Sequence, residues 1–246
     1  MDRIEYEKMH AVEERMWWYR GLHANLLTVF RRAGRVRPGS KVLDAGCGTG
    51  GFLAKLGQAQ PTLDRIGMDL DPVAAELAAA KAAIPVCVGS INALPFATDS
   101  LGTIFSADVL YHRAVDETQA LADLHRCLEP GGALLLNLPA YDWMFSAHDR
   151  AVHTARRYTA TRIRTRLRAA GFAQVRTTYW NSLLFPLMVL RRKLVKTEGA
   201  ASDVALLPAP IEFLFRSAMG IENLLLRCGI ALPFGGSVLA VAIKHG

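Results

Sequence analysis

The chain alternates short apolar runs with stretches whose apolar residues recur at helical spacing. Trp17, Trp18, Tyr19, Leu22, Leu26, Leu27 and Phe30 fall on such a spacing, so the first forty residues read as helix. A basic break from Arg35 to Gly39 follows. "KVLDA" is then a short buried strand, with a helix from Gly51 to Gln58 behind it. "RIGMD" is a second strand. Asp71 caps the next helix, Pro72 fits its first position, and "VAAELAAAKAA" propagates it. "IPVCVG" and "GTIFSA" are the third and fourth strands. Asp116 to Cys127 is a helix with Leu121, Leu124 and Leu128 on one side, and "EPGG" turns the chain into a fifth strand, "ALLLNLP". Strands alternating with helices predict a parallel sheet covered on both faces.

Past Pro139 the rhythm loosens. Thr161 to Ala170 is a helix with Ile163, Leu167 and Ala170 inward, ended by Gly171. "AQVRTTYW" is a sixth strand and "SVLAVAIK" a seventh. The stretch between them is far too long for a hairpin turn and reads as a helical insertion.

Composition sharpens this picture in the second half. The 246 residues carry a formal charge of +7 and are 51% hydrophobic. Residues 1–145 balance at −3 and residues 146–246 at +10. A segment both basic and apolar suits contact with anions or a membrane surface. Cys47, Cys87, Cys127 and Cys228 show neither metal nor redox spacing, which predicts reduced thiols and a cytoplasmic protein. "MDRIEYEK" is too charged for a signal peptide, and no apolar run approaches the roughly 20 residues of a membrane span.

The chemistry starts at "VLDAGCGTGGFLAKL". Gly46, Gly48 and Gly51 satisfy G-x-G-x-x-G between a strand and a helix, a pattern for an adenosine-containing ligand at the carboxyl edge of a sheet. Asp44 separates the ligands. A carboxylate at the mouth of the loop repels a pyrophosphate and attracts an ammonium and a sulfonium, which disfavours NAD. Asp69, at the end of the second strand, can accept hydrogen bonds from both ribose hydroxyls.

"VLDAGCGTG", "GMDLDP", "GSINALPFATDSLGTIFSADVLYH" and "LHRCLEPGGALLLNLP", in that order, resemble successive motifs of the class I S-adenosylmethionine-dependent methyltransferases, and among these the small-molecule group called type 11. The resemblance covers residues 40–180 and the last strand. It implies an α/β, Rossmann-like fold: a seven-stranded, mostly parallel sheet with an antiparallel last strand, helices on both faces, and a helical insertion before that strand. It also implies one domain: a helical cap (1–38), a cofactor-binding core (39–181), an insertion or lid (182–235) and the final strand (236–246). The implied cofactor is S-adenosyl-L-methionine. Asp44, Gly46 and Gly48 line its methionine end, Asp69 holds the ribose, and Leu70 packs on the adenine. Ser90, Ile91 and Asn92 frame the adenine, and Ser106 and Ala107 sit near the methyl group. Many relatives have Asp at the position of Ser90, so this chain departs from the pattern there. "ERMWWYRGLH" resembles an aromatic helix that closes over the cofactor, in which Arg20 pairs with the methionine carboxylate and Tyr19 hydrogen-bonds nearby. Alternatively, Trp17 and Trp18 are core and Arg20 is solvated.

Methyl transfer from a sulfonium is an in-line displacement, dominated by positioning. A base is needed where the acceptor loses a proton. The candidates are His112, His148 and His153, the last two within "SAHDRAVHTARRY". That cluster supports three readings. One is a metal site, although the spacing matches no standard pattern and no metal is assigned. Another is a base oriented by Asp149, and the third a set that stabilises its own loop. Arg156 and Arg157 either clamp an anionic acceptor or form a solvated face.

In the insertion, "LLFPLMVLRRKLVK" and "FLFRSAMGIENLLLRCGIALPF" read as a lid, a homodimer face, or a peripheral contact with an inner membrane surface through residues 183–230. Nucleic acid is a weaker partner, since no RNA-binding signature is present and "SADV" lacks the motif of nucleobase methylation. The expected activity is methylation of a small or lipid-like acceptor, at oxygen first, then nitrogen or carbon. The rivals are an NAD-linked oxidoreductase and a non-catalytic, membrane-associated binding protein.

Overall fold

The computed structural model describes residues 3–33, 39–194 and 206–246; Arg35 to Pro38 of the basic break, and Lys196, lie outside the described residues. Two helices come first, α1 (Arg3–Val12) and α2 (Trp17–Ala33). The single N-terminal helix expected from periodicity is therefore broken. Arg15 and Met16 turn back onto the Val12 carbonyl, and Glu13 is committed to partners elsewhere in the fold, described below.

The alternating part follows as β1 (Lys41–Ala45), α3 (Gly51–Ala59), β2 (Asp64–Asp69), α4 (Pro72–Ala82), β3 (Val86–Val88), β4 (Leu101–Ala107), α5 (Glu117–Cys127) and β5 (Leu128–Pro139). A single 3-10 turn (Asp142–Met144), α6 (Ala147–Ala151), α7 (Ala160–Ala169), β6 (Phe172–Trp180), α8 (Phe185–Leu194), α9 (Ala209–Arg227) and β7 (Ser237–Lys244) complete it. Three helices start at a side-chain cap, while α3 and α9 start at Gly50 and Pro208 without one. Asp71 accepts from the Val73 amide ahead of Pro72, Asp116 from Thr118 and Gln119, and Thr159 from Arg162.

The strands form one seven-stranded sheet in the order β3-β2-β1-β4-β5-β7-β6. β7 lies antiparallel between β5 and β6, while β1 to β5 pair in parallel. Leu43, Ile104, Leu134 and Leu136 face Leu121 and Leu124 of α5 and Ile163 and Leu167 of α7. Val42, Phe105 and Leu135 face Leu26 and Phe30 of α2 and Phe52 and Leu56 of α3, on the side that α9 also covers through Met219 and Leu226. The strand order reverses between β1 and β4, and their carboxyl ends form the crevice where open α/β sheets bind ligands.

Helix α9 buries polar side chains beside Met219 and Leu226 and carries further apolar residues on its outer side. Glu212, Glu222 and Asn223 are buried. Glu212 accepts from the Trp17 amide, Glu222 accepts from the Leu183 amide at 2.8 Å, and the Asn223 amide donates to Asn25 and Thr28 at 2.9 Å each. Phe213, Leu214 and Leu224 meanwhile stand 71%, 63% and 59% exposed. Each such side chain left in water forgoes about 2 kcal/mol of burial. Among the described residues no helix is long and apolar enough to cross a membrane.

Under the sheet edge, the fully buried Trp180 donates its Nε1 proton to Asn137 Oδ1 at 2.7 Å. Trp180→Phe keeps the ring but strands that buried oxygen. Urea denaturation should show a loss of about 1–3 kcal/mol in unfolding free energy; unchanged stability would mean that the bond contributes nothing.

Candidate active site

Three glycines turn the chain from β1 into α3. Gly46, Gly48 and Gly50 have φ values of 88°, 54° and 83°, in the left-handed region, which costs residues with side chains roughly 1–2 kcal/mol each. A Cβ on Gly46 would overlap Val109, and one on Gly50 would lie 2.7 Å from the Ala78 Cα. Gly50 falls outside the G-x-G-x-x-G positions and was not legible as essential.

The turn is fastened to β2. The amides of Gly46 and Cys47 donate to the Met68 carbonyl at 2.7 and 3.0 Å. Asp69 Oδ2 accepts from the Gly48 amide at 2.8 Å, and Oδ1 from the Asp71 amide at 3.0 Å. Asp69 thus straps the glycine turn to the start of α4. Burial pushes its carboxyl upward, and the two amides restrain the rise. Asp44 is 3% exposed and accepts no hydrogen bond from the described residues. Burial, and then the charge of Asp69, push its carboxyl up to about 8. A desolvated carboxylate without a partner, beside bare backbone, fits a cationic ligand group.

The cover over this turn is α1. Met9 Cε lies 3.0 Å from where a Gly48 Cβ would be, and a Cβ on Gly51 would overlap the Glu13 carboxylate. Glu13 accepts from Thr49 Oγ1 at 2.7 Å and pairs with Lys81, whose ammonium also donates to the His10 carbonyl at 3.2 Å. Tyr6 is buried beside Asp69 and Asp71, and burial followed by those charges drives its hydroxyl upward. The aromatic helix, for which the sequence leaves a covering and a core role open, takes the second: Trp17 packs edge-on against Phe215, and Trp18 lies tilted against Trp180. Arg20 is exposed and donates to the Glu14 carbonyl at 3.5 Å, the solvated alternative. Tyr19 packs against Trp18 and His23.

On the adenine side, Leu70 is exposed and Ile91 buried. Ser90 Oγ accepts from the Asn92 amide at 3.2 Å. The Asn92 side chain is occupied at both ends, donating to the Ala114 carbonyl at 2.9 Å and accepting from the Asp116 amide at 3.0 Å. Asn92 is therefore a pin between loops. Ser106 Oγ donates to the Ala45 carbonyl at 2.9 Å and ties β4 to β1; Ala107 is half-buried at the end of β4.

Asp108, which no motif flagged, follows β4 with φ 57°. Its amide donates to the Asn137 carbonyl at 2.9 Å, and Asn137 Nδ2 donates to its Oδ2 at 2.8 Å. With Trp180 behind Asn137, the three residues form a relay from β6 to the mouth of the crevice. Asp108 Oδ1 has no hydrogen-bond partner among the described residues. Burial pushes this carboxyl up to about 7, against the lowering pull of the Asn137 amide and the Arg157 charge.

The histidine cluster divides. His112 and His153 come together, with ring centroids 5.8 Å apart. His112 Nδ1 accepts from the Ala114 amide at 3.2 Å, so neutral His112 carries its proton on Nε2 and donates there. Burial and the His153 charge lower its basicity. The side chain of His148 lies outside the described residues. Asp149 accepts from no histidine among the described side chains. It is buried against Arg157 at 2.8 Å, accepts from Ser146 and meets Arg192 of α8 at 3.4 Å, a loop-stabilising network. Arg157 also donates to the Ala140 carbonyl at 2.6 Å and is not free to clamp a ligand. Among the described residues no group of three or more His, Cys, Asp or Glu could hold a metal ion.

This strand order, with an antiparallel strand beside the edge and a glycine turn leaving β1 after a buried carboxylate, belongs to the class I S-adenosylmethionine-dependent methyltransferases, and the chain carries the domain of that class. Residues 42–132 match the family model described as a methyltransferase domain. Malonyl-acyl-carrier protein O-methyltransferase of Dechloromonas aromatica is 37% identical over 97 residues, 39% of this chain and 35% of that protein. Trans-aconitate 2-methyltransferase of Deinococcus radiodurans is 34% identical over 149 residues, 58% of this chain and 52% of that protein. The chain thus spans about half or less of these curated relatives. Haemonchus contortus phosphoethanolamine N-methyltransferase 2, solved with S-adenosyl-L-methionine, shares the fold at a TM-score of 0.59 and 17% identity, covering 90% of this chain and 52% of that one.

Asp69→Ala removes both acceptors of the strap. Hydrogen exchange at the Gly48 and Asp71 amides should accelerate, with about 2 kcal/mol lost in stability; protection equal to wild type would exclude the strap.

Proposed function

We propose that the chain transfers a methyl group from S-adenosyl-L-methionine to a small or lipid-like acceptor, at oxygen first, then nitrogen or carbon. The observation that carries this reading is Asp44, a buried carboxylate with no partner beside a sharply bent glycine turn. Such a group suits an ammonium and repels a diphosphate. When bound, S-adenosylmethionine supplies an electrophilic methyl on a positively charged sulfur. Gly46 and Gly48 let the backbone approach the methionine end, and Asp44 faces its ammonium. Asp69 offers the ribose the lone pairs it does not spend on Gly48 and Asp71. Exposed Leu70 packs on the adenine, whose edge Ser90 and Ile91 shape.

Asp108 takes the acceptor proton on Oδ1, with Asn137 holding Oδ2. His112 donates from Nε2 to the acceptor, beside His153. Tyr19 and Tyr111 line the same side. Residues 183–230 contact a membrane surface; the outward apolar side of α9 supports this, together with exposed Leu183, Leu187 and Leu190 in and beside α8.

Methyl-labelled S-adenosylmethionine offered with long-chain alcohols, phenols, amines and carboxylic acids tests the activity: label should appear in hydroxyl acceptors. Tight cofactor binding with no labelled product would favour the non-catalytic reading. In calorimetry, S-adenosylmethionine affinity should rise as pH approaches about 8, because Asp44 must lose its proton to meet the cation, and fall above it as the ligand's own α-ammonium deprotonates. Asp44→Asn should bind weakly and lack the rising limb; a wild-type profile without that limb counts against the ammonium assignment. At saturating cofactor, kcat should rise through a pH of about 7 as Asp108 ionises, and Asp108→Asn should lower it roughly 100-fold or more. Retention of rate and profile in that variant would remove Asp108 from the chemistry.

A further inference from the structure

We propose that the cleft between the carboxyl-terminal ends of α2 and α9 binds the phosphate of an anionic phospholipid and so seats the apolar stripe of α9 in a membrane. This rests on the membrane-contact reading above and gives it a headgroup site.

The two helices run side by side in the same direction. Trp17 meets Glu212 near their starts, Thr28 meets Asn223 midway, and Arg32 Nη1 donates to the Arg227 carbonyl at 2.7 Å near their ends. Between those ends lies an open cleft of about 210 Å³, lined by Thr28, Arg31, Arg32 and Arg227. One explanation for the arginines is that they neutralise the two helix dipoles. That explanation is too small. Each carboxyl-terminal end carries only about −0.5 of a charge, against three full cations. Arg32 alone satisfies a terminal carbonyl. Arg31 and Arg227 have no carboxylate partner among the described residues. A net excess of roughly two positive charges therefore lines a concave site. Guanidinium forks match the oxygens of a phosphate in a way that a single carboxylate cannot fill.

The position of the cleft selects the source of that phosphate. Leu224 lies one helical turn before Arg227, with Ile221 one turn earlier, and both are more than half exposed. Cation and apolar side chains thus share one stripe, in the order that an interfacial helix presents to headgroup and acyl chains. The stripe exists because α9 spends its polar residues on pinning itself to α2. A second copy of the chain is the less suitable occupant. It would bring a like-charged surface, from a segment with a net +10, against this one.

The test is vesicle flotation of the full chain, using pure phosphatidylcholine and phosphatidylcholine with phosphatidylglycerol. Wild type should favour the anionic vesicles at least tenfold, since each arginine near such a surface contributes severalfold. Arg31→Gln with Arg227→Gln should abolish that preference while leaving the weak binding to neutral vesicles. Ile221→Ser with Leu224→Ser should weaken both. Free glycerol 3-phosphate at millimolar concentration should not displace the chain. If the arginine double variant keeps its preference, the cleft is not the site, although the membrane contact stands. Displacement by glycerol 3-phosphate would make it a site for soluble phosphate and end the lipid assignment. If neither vesicle binds, both readings fall, whether the chain sediments as a monomer or as a dimer that the serine variant dissociates. Calorimetry of S-adenosylmethionine on the arginine variant should be unchanged, which keeps the cofactor reading separate.

Discussion

The turn between β1 and α3 closes only because β2 supplies acceptors for its amides. Met68 takes two through its carbonyl, and the Asp69 carboxylate takes a third while holding the start of α4. Everything at the crevice follows from that fastening. The backbone is held in left-handed conformations that three glycines permit, Val109 packs directly on Gly46, and Asp44 is left desolvated with no partner. A buried carboxylate in that state is unfavourable for the empty fold. The same unfavourable state makes the spot selective, because a cation gains there what water no longer provides.

The sheet was legible in the sequence because the central strands β1, β4 and β5 are apolar runs and α4, α5 and α7 each start at a capping aspartate or threonine. Asp71 and Asp116 were readable for that reason. The seven strands and the glycine turn lie where the pattern put them, apart from β5, which starts at Leu128 ahead of the expected Glu129–Gly132 turn, and the antiparallel last strand is the one the resemblance implied. The break after Val12 was not legible, because its cause is remote: Glu13 leaves the helix for Thr49 and Lys81. The sequence left Asp149 open between orienting a base and holding its own loop, because its partners, Arg157 and Arg192, come from a following loop and from α8. Asp108 lies inside the quoted fourth-strand motif, but nothing there gave it a role. An aspartate in a turn looks ordinary until Asn137 and Trp180 are seen behind it.

Helix α9 shows a different limit. Its apolar residues lie on more than one side, and nothing in the periodicity says which of them turn inward. Met219 and Leu226 do, together with Glu212, Glu222 and Asn223, because α2 offers Asn25, Thr28 and the Trp17 amide as partners. Phe213, Leu214, Ile221 and Leu224 stay exposed.

The overlap between Glu13 and any side chain at position 51 limits substitution there. A side chain at 51 needs the Glu13 carboxylate to move aside, and the carboxylate can move only by loosening its contacts to Thr49 and Lys81. The constraint runs one way: a smaller residue at 13 leaves Gly51 undisturbed, whereas a larger residue at 51 acts on the tether between the N-terminal helix and the glycine turn.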